Sequence, residues 1–86
     1  MIISKTSIPE LLIIQPTIHE DNRGYFIESY KHSEFESNGL RTDFLQQNQT
    51  KSSKGVLRGL HYQLNYGQGK LVWVTQGKVM DIALDI

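Results

Sequence analysis

From Met80 onward, the segment of residues 79–86 alternates between large apolar side chains and Asp or Ala, and this period of two is the strongest constraint on the fold. Successive side chains of a β-strand point to opposite faces, so such a pattern predicts a half-buried strand. Its apolar face carries Met80, Ile82, Leu84 and Ile86. The sequence stops within or at the end of this pattern, and domains rarely end on an uninterrupted apolar strand. We therefore expect the chain to be truncated after Ile86.

The rest of the chain divides into short segments of β-type composition, separated by Pro, Gly and Asn residues that are typical of turns. The predicted strands cover residues 10–15, 25–30, 42–48, 56–64 and 70–75. Turns are predicted at residues 21–24, 67–69 and 76–77. Short strands joined by turns indicate an all-β sandwich or barrel, of which 86 residues would form only a part.

One short helix is predicted at about residues 34–38. Ser33 and Glu36 match a capping box, in which the hydroxyl caps the helix and the carboxylate reaches back to the N-cap. Gly39 stands where a helix commonly ends.

Length and composition limit how such a chain can be stabilised. A chain of 86 residues forms one domain and buries roughly 60–65% of its unfolded surface, so it is marginal without further support. Cysteine is absent, and the three histidines lie far apart in sequence, which argues against disulfides and a metal site. A net charge of zero argues against nucleic-acid and membrane partners. The start of the chain lacks a signal-peptide pattern, so we expect a cytoplasmic protein.

Recognition chemistry is concentrated in residues 55–63. Arg58 offers a planar fork of donors suited to phosphate, and His61 has an ordinary pKa near neutrality. A bulge at Gly59 would turn both side chains to one side. If a hairpin folds about residues 65–66, His61 faces Lys70 across the strands. The alternative interpretation is that Arg58 and His61 are structural or surface residues and that Lys70 is a solvated strand end.

An imidazole beside a fixed cation suits proton abstraction next to a carbonyl, because the cation stabilises the enolate oxygen that forms. Arg58 and Arg23 could hold a phosphate in a bidentate manner. Glu28 lies between Phe26 and Tyr30 at strand spacing, so it belongs either to the solvated face or to a site. From the residues alone, the chain is a β-protein with a possible acid–base site for an anionic ligand.

At these residues the sequence resembles the N-terminal half of the dTDP-4-dehydrorhamnose 3,5-epimerase family. The resemblance covers essentially the whole chain, and residues 54–72 are its most specific part. The matching motifs are Asp21-x-Arg23-Gly24-x-Phe26-x-Glu28, Gln46-x-Asn48, Gly55-Val-Leu-Arg-Gly-Leu-His-Tyr-Gln63 and Gln68-Gly-Lys-Leu-Val72.

The resemblance implies a cupin-type barrel (a double-stranded β-helix or jelly roll), of which residues 1–86 are one portion, without metal or cofactor and working as a homodimer. The implied reaction inverts carbons 3 and 5 of dTDP-4-dehydro-6-deoxy-glucose in dTDP-rhamnose biosynthesis. His61 would be the base, and Lys70 would stabilise the enolate. The implied contacts to the sugar nucleotide are Arg23, Glu28, Gln46, Asn48 and Arg58.

Two alternatives remain open at this point. One is a related 3-epimerase, 5-epimerase or ketoisomerase on the same scaffold. The other is a non-catalytic partial cupin that only dimerises or binds ligand. The resemblance also implies a proton-donating Tyr and a carboxylate that orients the base, and neither can be assigned to a residue of this sequence. We therefore expect the 86-residue chain alone to be a poor catalyst.

Overall fold

The computed structural model describes all residues from Met1 to Ile86. Its first element, β1 (Ile2–Lys5), pairs in antiparallel fashion with β2 (Leu12–Gln15). The connection is fastened by the Thr6 hydroxyl, which accepts a hydrogen bond from the Ile8 backbone N–H at 3.1 Å. Strand β2 confirms the prediction for residues 10–15, with a later start because residues 9–10 form a turn. Strand β1 was not predicted, although its adjacent Ile2 and Ile3 are typical of strands.

A second antiparallel pair follows directly. Strand β3 (Ile18–Asp21) pairs with β4 (Gly24–Ile27), and Asp21 lies opposite Gly24. The two residues between these strands form the tight turn predicted at residues 21–24. Strand β4 ends at Ile27, so the prediction of a strand over residues 25–30 was too long. Glu28 therefore lies beyond the strand and has no strand face.

Helix α1 (His32–Ser37) begins earlier than predicted. The N-cap is Lys31, without a capping side chain, so the capping box at Ser33 is wrong. The reason is that the Phe35 N–H donates to the Lys31 carbonyl at 3.0 Å, which places Ser33 inside the first turn.

The prediction of Gly39 at the helix C-terminus is confirmed. Gly39 has a φ of 71°, and its N–H donates to the Glu36 carbonyl at 3.0 Å. The Leu40 N–H donates to the Phe35 carbonyl at 2.9 Å. These two bonds form a Schellman motif, which satisfies carbonyls that the end of a helix leaves without partners. The helix is too short to cross a membrane, and no other helix is present.

The packed centre of the protein is an aromatic cluster of Tyr30, Phe35 and Phe44. Phe35 is the one buried residue, with 3% of its surface exposed. The Tyr30 ring meets Phe35 edge-on at 4.7 Å between ring centroids and meets Phe44 edge-on at 5.7 Å. The Tyr30 hydroxyl makes a long hydrogen bond of 3.4 Å to the Thr42 carbonyl. Through this cluster, the segment that follows the helix packs against the helix.

Residues 40–86 contain no helix or strand. The strands predicted over residues 42–48, 56–64, 70–75 and 79–86 are therefore not formed, and no backbone–backbone hydrogen bond reaches beyond Val56. A strand needs a partner for its N–H and C=O groups, and these segments find none within the chain. The apolar face predicted for residues 79–86 is exposed, including Met80 at 88% and Ile86 at 86%.

The overall dimensions reflect this open arrangement. The radius of gyration is 15.0 Å, whereas a compact domain of this length has about 12 Å. The architecture is therefore four short strands in two antiparallel pairs with one short helix, consistent with an all-β class.

Candidate functional site

The tip of the β3–β4 hairpin holds the first predicted site residue, Arg23, against the carboxylate of Asp21. The Arg23 Nη2 donates to Asp21 Oδ2 at 2.6 Å, and Nε donates to the same oxygen at 3.2 Å and to Oδ1 at 3.3 Å. The Arg23 backbone N–H also donates to Oδ1 at 2.9 Å. Asp21 was not predicted as a site residue, although it opens the Asp21-x-Arg23 motif.

These contacts change the electrostatics of the hairpin tip. The side-chain hydrogen bond from Arg23, followed by the bond from its backbone N–H, holds the pKa of Asp21 below its ordinary value of 3.8. The carboxylate in turn raises the pKa of Arg23 further, so Arg23 carries its charge throughout the physiological range. Both side chains are exposed, at 86% for Arg23 and 49% for Asp21. Solvent therefore screens the attraction, so the Asp21–Arg23 pair orients the Arg23 side chain more than it stabilises the fold.

Glu28 lies at a separate depression of about 190 Å³ between the β2–β3 connection and helix α1. Its lining is mostly polar and consists of Met1, Pro16, Thr17, His19, Glu28, Lys31, Glu34 and Phe35. The amino terminus of Met1 donates to the Thr17 hydroxyl at 3.1 Å, which closes one side of this depression.

Arg23 borders a second depression of about 380 Å³ that follows the β3–β4 hairpin. His19 lines both depressions and therefore connects the surroundings of Arg23 and Glu28. The sequence did not single out His19; the available signal was its place opposite Phe26 in the hairpin register. The two rings lie 6.4 Å apart between centroids.

Two further predicted residues are held together by a direct bond. The Gln46 amide Nε2 donates to Asn48 Oδ1 at 3.1 Å. Their spacing of two puts both amides on the same side of an extended segment even without a paired strand. The Gln46 oxygen can still accept a hydrogen bond from a nucleotide base or sugar, and the Asn48 nitrogen can still donate one to it.

Arg58 is held by a neighbouring loop. Its Nε donates to the Ser52 hydroxyl at 3.0 Å, across the turn at residues 54–55. Both Nη groups of Arg58 are left without a protein acceptor. A phosphate bound in a bidentate manner accepts its hydrogen bonds from such N–H groups.

His61 and Lys70 are not brought opposite each other, because the hairpin predicted about residues 65–66 does not form a β-ladder. The chain bends at residues 64–66, yet the flanking segments remain unpaired. His61 lies close to Gly59, where an added Cβ would come within 3.3 Å of His61 Nδ1. Gly59 has a φ of 102°, so it re-aims the chain here without the predicted bulge.

The backbone beside Lys70, at Gly69, is approached by the Arg41 side chain. A Cβ added at Gly69 would lie 3.1 Å from Arg41 Cδ, which shows how closely the Arg41 stem approaches this backbone. The Arg41 guanidinium also pairs with Asp43 at 3.8 Å. No group of three or more His, Asp or Glu side chains is arranged to hold a metal ion.

Comparison with known proteins gives one consistent result. The family model described as dTDP-4-dehydrorhamnose 3,5-epimerase matches residues 5–86. A protein of Shigella flexneri with that name is 51% identical over 88 aligned positions, covering 100% of this chain and 49% of the relative. A Methanothermobacter thermautotrophicus protein of the same name is 46% identical, covering 95% of this chain and 44% of the relative.

The Escherichia coli K12 protein of that name is 47% identical, with 100% of this chain and 48% of the relative covered. The chain thus spans about half the length of the curated relatives it matches. No solved structure matches the chain at a significant level.

Proposed function

The chain belongs to the dTDP-4-dehydrorhamnose 3,5-epimerase family, and from this premise we propose that it carries the proton-abstracting part of such an epimerase. The substrate is dTDP-4-dehydro-6-deoxy-glucose, and the product enters dTDP-rhamnose biosynthesis. The observation that carries the proposal is the match over residues 5–86, which includes every residue given a role here.

The chemistry follows from the position of the ketone. A carbonyl at carbon 4 makes the C–H bonds at carbons 3 and 5 acidic, because loss of either proton gives an enolate with its charge on the same oxygen. His61 removes the proton as a general base. The Lys70 ammonium stabilises the enolate oxygen, where charge develops. Return of a proton to the opposite face of the sugar completes each inversion.

The remaining assigned residues hold the nucleotide. Arg58 and Arg23 bind the diphosphate through the Nη N–H groups that no protein atom accepts from, while Glu28, Gln46 and Asn48 contact the sugar nucleotide. The exposure of Arg23 at 86% and the unused Nη groups of Arg58 support the phosphate contacts. The direct bond between Gln46 and Asn48 supports their acting as one unit.

The proposal also includes the fold and the assembly. Residues 1–86 form the N-terminal portion of one cupin-type barrel, which works as a cytoplasmic homodimer without nucleic-acid or membrane partners. Apolar side chains that stay exposed here, such as Leu57 at 92% and Leu64 at 85%, would be covered in the barrel. Burial of such surface stabilises by about 25 cal/mol per Å².

A chimera tests the proposed function. This chain replaces the matching half of the Shigella flexneri relative, and the hybrid receives dTDP-4-dehydro-6-deoxy-glucose in deuterated water. We expect deuterium at carbons 3 and 5 by mass spectrometry. Deuterium at one carbon alone would identify a 3- or 5-epimerase, and none from a folded hybrid would refute the proposal. The 86-residue chain alone should turn over this substrate poorly.

Substitutions in the hybrid separate the roles. His61→Asn should slow deuterium incorporation by about 10²–10⁴-fold with little change in affinity, because a general base acts on the transition state. The matched control is His32→Asn, since His32 is an exposed helix residue without an assigned role. Arg58→Ala should weaken binding, because a phosphate contact holds substrate and transition state alike. Lys70→Met should show a mixture of the two effects, with slower deuterium incorporation and weaker binding, because an ammonium attracts the anionic substrate and also stabilises the enolate. Normal incorporation in His61→Asn would show that the base lies elsewhere.

A further inference from the structure

The guanidinium of Arg23 is bound along one edge only. All three side-chain hydrogen bonds to Asp21 come from Nε and Nη2, at distances of 2.6 Å, 3.2 Å and 3.3 Å. A guanidinium carries five N–H groups in a fixed plane. Asp21 engages the one on Nε and one on Nη2, which leaves both N–H groups of Nη1 and the second of Nη2. These remaining donors form the outer Nη1–Nη2 edge.

That outer edge has the geometry that binds phosphate. Two parallel N–H donors on one planar edge match two phosphate oxygens. The Arg23 side chain is 86% exposed, and no other protein group accepts a bond from it. We propose that Asp21 is a positioning residue, which holds Arg23 by its inner edge so that the outer edge is ready for the diphosphate of the substrate. This inference rests on the proposed function, in which Arg23 contacts the sugar nucleotide.

The backbone explains why Asp21 can serve this purpose. Asp21 is the last residue of β3, and its place opposite Gly24 is set by the hairpin register. Its carboxylate is further fixed by the bond from the Arg23 backbone N–H at 2.9 Å. The acceptor is therefore anchored by main-chain geometry, and the long Arg23 side chain is restrained against it. Rotamer freedom that Arg23 has already lost is not lost again when phosphate binds.

The opposite effect, in which Asp21 masks Arg23 from anions, is the weaker one here. A phosphate on the outer edge does not compete for the donors that Asp21 uses. Repulsion between the two anions acts through solvent at an exposed hairpin tip, so salt screens it. Orientation therefore outweighs repulsion, and loss of the acceptor should weaken phosphate binding.

The test uses the 86-residue chain, titrated with dTDP, with inorganic pyrophosphate and with thymidine, while the Arg23 Nε–Hε signal is followed by NMR. Asp21→Ala should weaken dTDP and pyrophosphate binding by about threefold to tenfold and leave thymidine binding unchanged. Asp21→Asn should weaken binding less than Asp21→Ala does, because its one amide oxygen can still accept from Arg23 Nη2 and Nε, although the amide nitrogen in place of Oδ1 cannot accept from the Arg23 backbone N–H. Asp43→Ala is the matched control, because Asp43 pairs with Arg41 at 3.8 Å, also two residues away.

The outcomes discriminate sharply. Tighter pyrophosphate binding in both Asp21 variants would mean masking and would overturn the inference. Equal pyrophosphate affinity of Asp21→Ala and the original chain would show that the ion pair does not affect phosphate binding. This result would overturn the inference as well. Shifts from dTDP that reach Arg58 but not Arg23 would overturn the inference and the proposed Arg23 contact, while leaving the proposed epimerisation intact. No dTDP-dependent shift anywhere in the chain would overturn the inference, and failure of the chimera would separately refute the proposed function.

Discussion

Substitution of Phe35 by Ala should dismantle the packed centre of the chain. Phe35 is the one buried side chain, at 3% exposure, and its ring forms a T-shaped pair with that of Tyr30 at 4.7 Å between centroids. Phe→Ala changes in a core cost about 3–5 kcal/mol, and the edge-on aromatic pair accounts for about 0.5–1.5 kcal/mol of such a loss. Whole domains are stable by only about 5–15 kcal/mol. With so little else buried, the loss should equal or exceed the stability that this unit has.

The assay is NMR at one fixed protein concentration, together with circular dichroism for the helix. We expect Phe35→Ala to lose the backbone signals of helix α1 and the shifted ring signals of Tyr30. The matched control is Phe26→Ala, because Phe26 is 67% exposed on β4 and its cross-strand contact is worth less than about 1 kcal/mol. Phe35→Leu, which keeps most of the volume, should retain the helix with a loss below about 1.5 kcal/mol. Equal effects of Phe35→Ala and Phe26→Ala would refute the argument, because burial would then not decide the cost.

Three further perturbations probe single positions. Gly39→Ala should weaken helix α1 by about 1–2 kcal/mol, because the φ of 71° is unfavourable for a residue with a Cβ; circular dichroism would detect this, and Gly39→Asn should cost less. Gly59→Ala should displace the His61 imidazole, since the new Cβ would lie 3.3 Å from Nδ1 at a φ of 102°; unmoved His61 ring signals in NMR spectra would contradict this expectation. Acid should remove the Asp21–Arg23 contact. Because the folded state lowers the pKa of Asp21 below 3.8, the contribution of this contact to stability is complete above pH 3.8. It is lost as the pH falls through the lowered pKa. A carboxyl titration of Asp21 by NMR should therefore have its midpoint below 3.8, and Arg23→Met should restore the ordinary value.

Local chemistry made several features readable from the amino acids. The turn at residues 21–24 follows from Asp21, Asn22 and Gly24, which are residue types that favour a two-residue hairpin connection. Gly39 ends the helix because a left-handed residue is needed there and Gly adopts it without strain. The family could also be named from motifs, because the block of residues 55–63 is specific by composition and spacing together.

Features that depend on how side chains and partner segments are placed in space were not readable in the same way. Helix α1 starts from Lys31 and not from a cap at Ser33. Its one buried residue is Phe35. The pairing of Asp21 with Arg23, and the approach of Arg41 to Gly69, emerge only when side chains are placed in space. Alternation in residues 79–86 predicts a strand, but a strand exists only when its backbone groups find partners, and none lie within this chain. A β-pattern in sequence states which face of a segment would be buried, whereas the partner that buries it is a property of the tertiary structure.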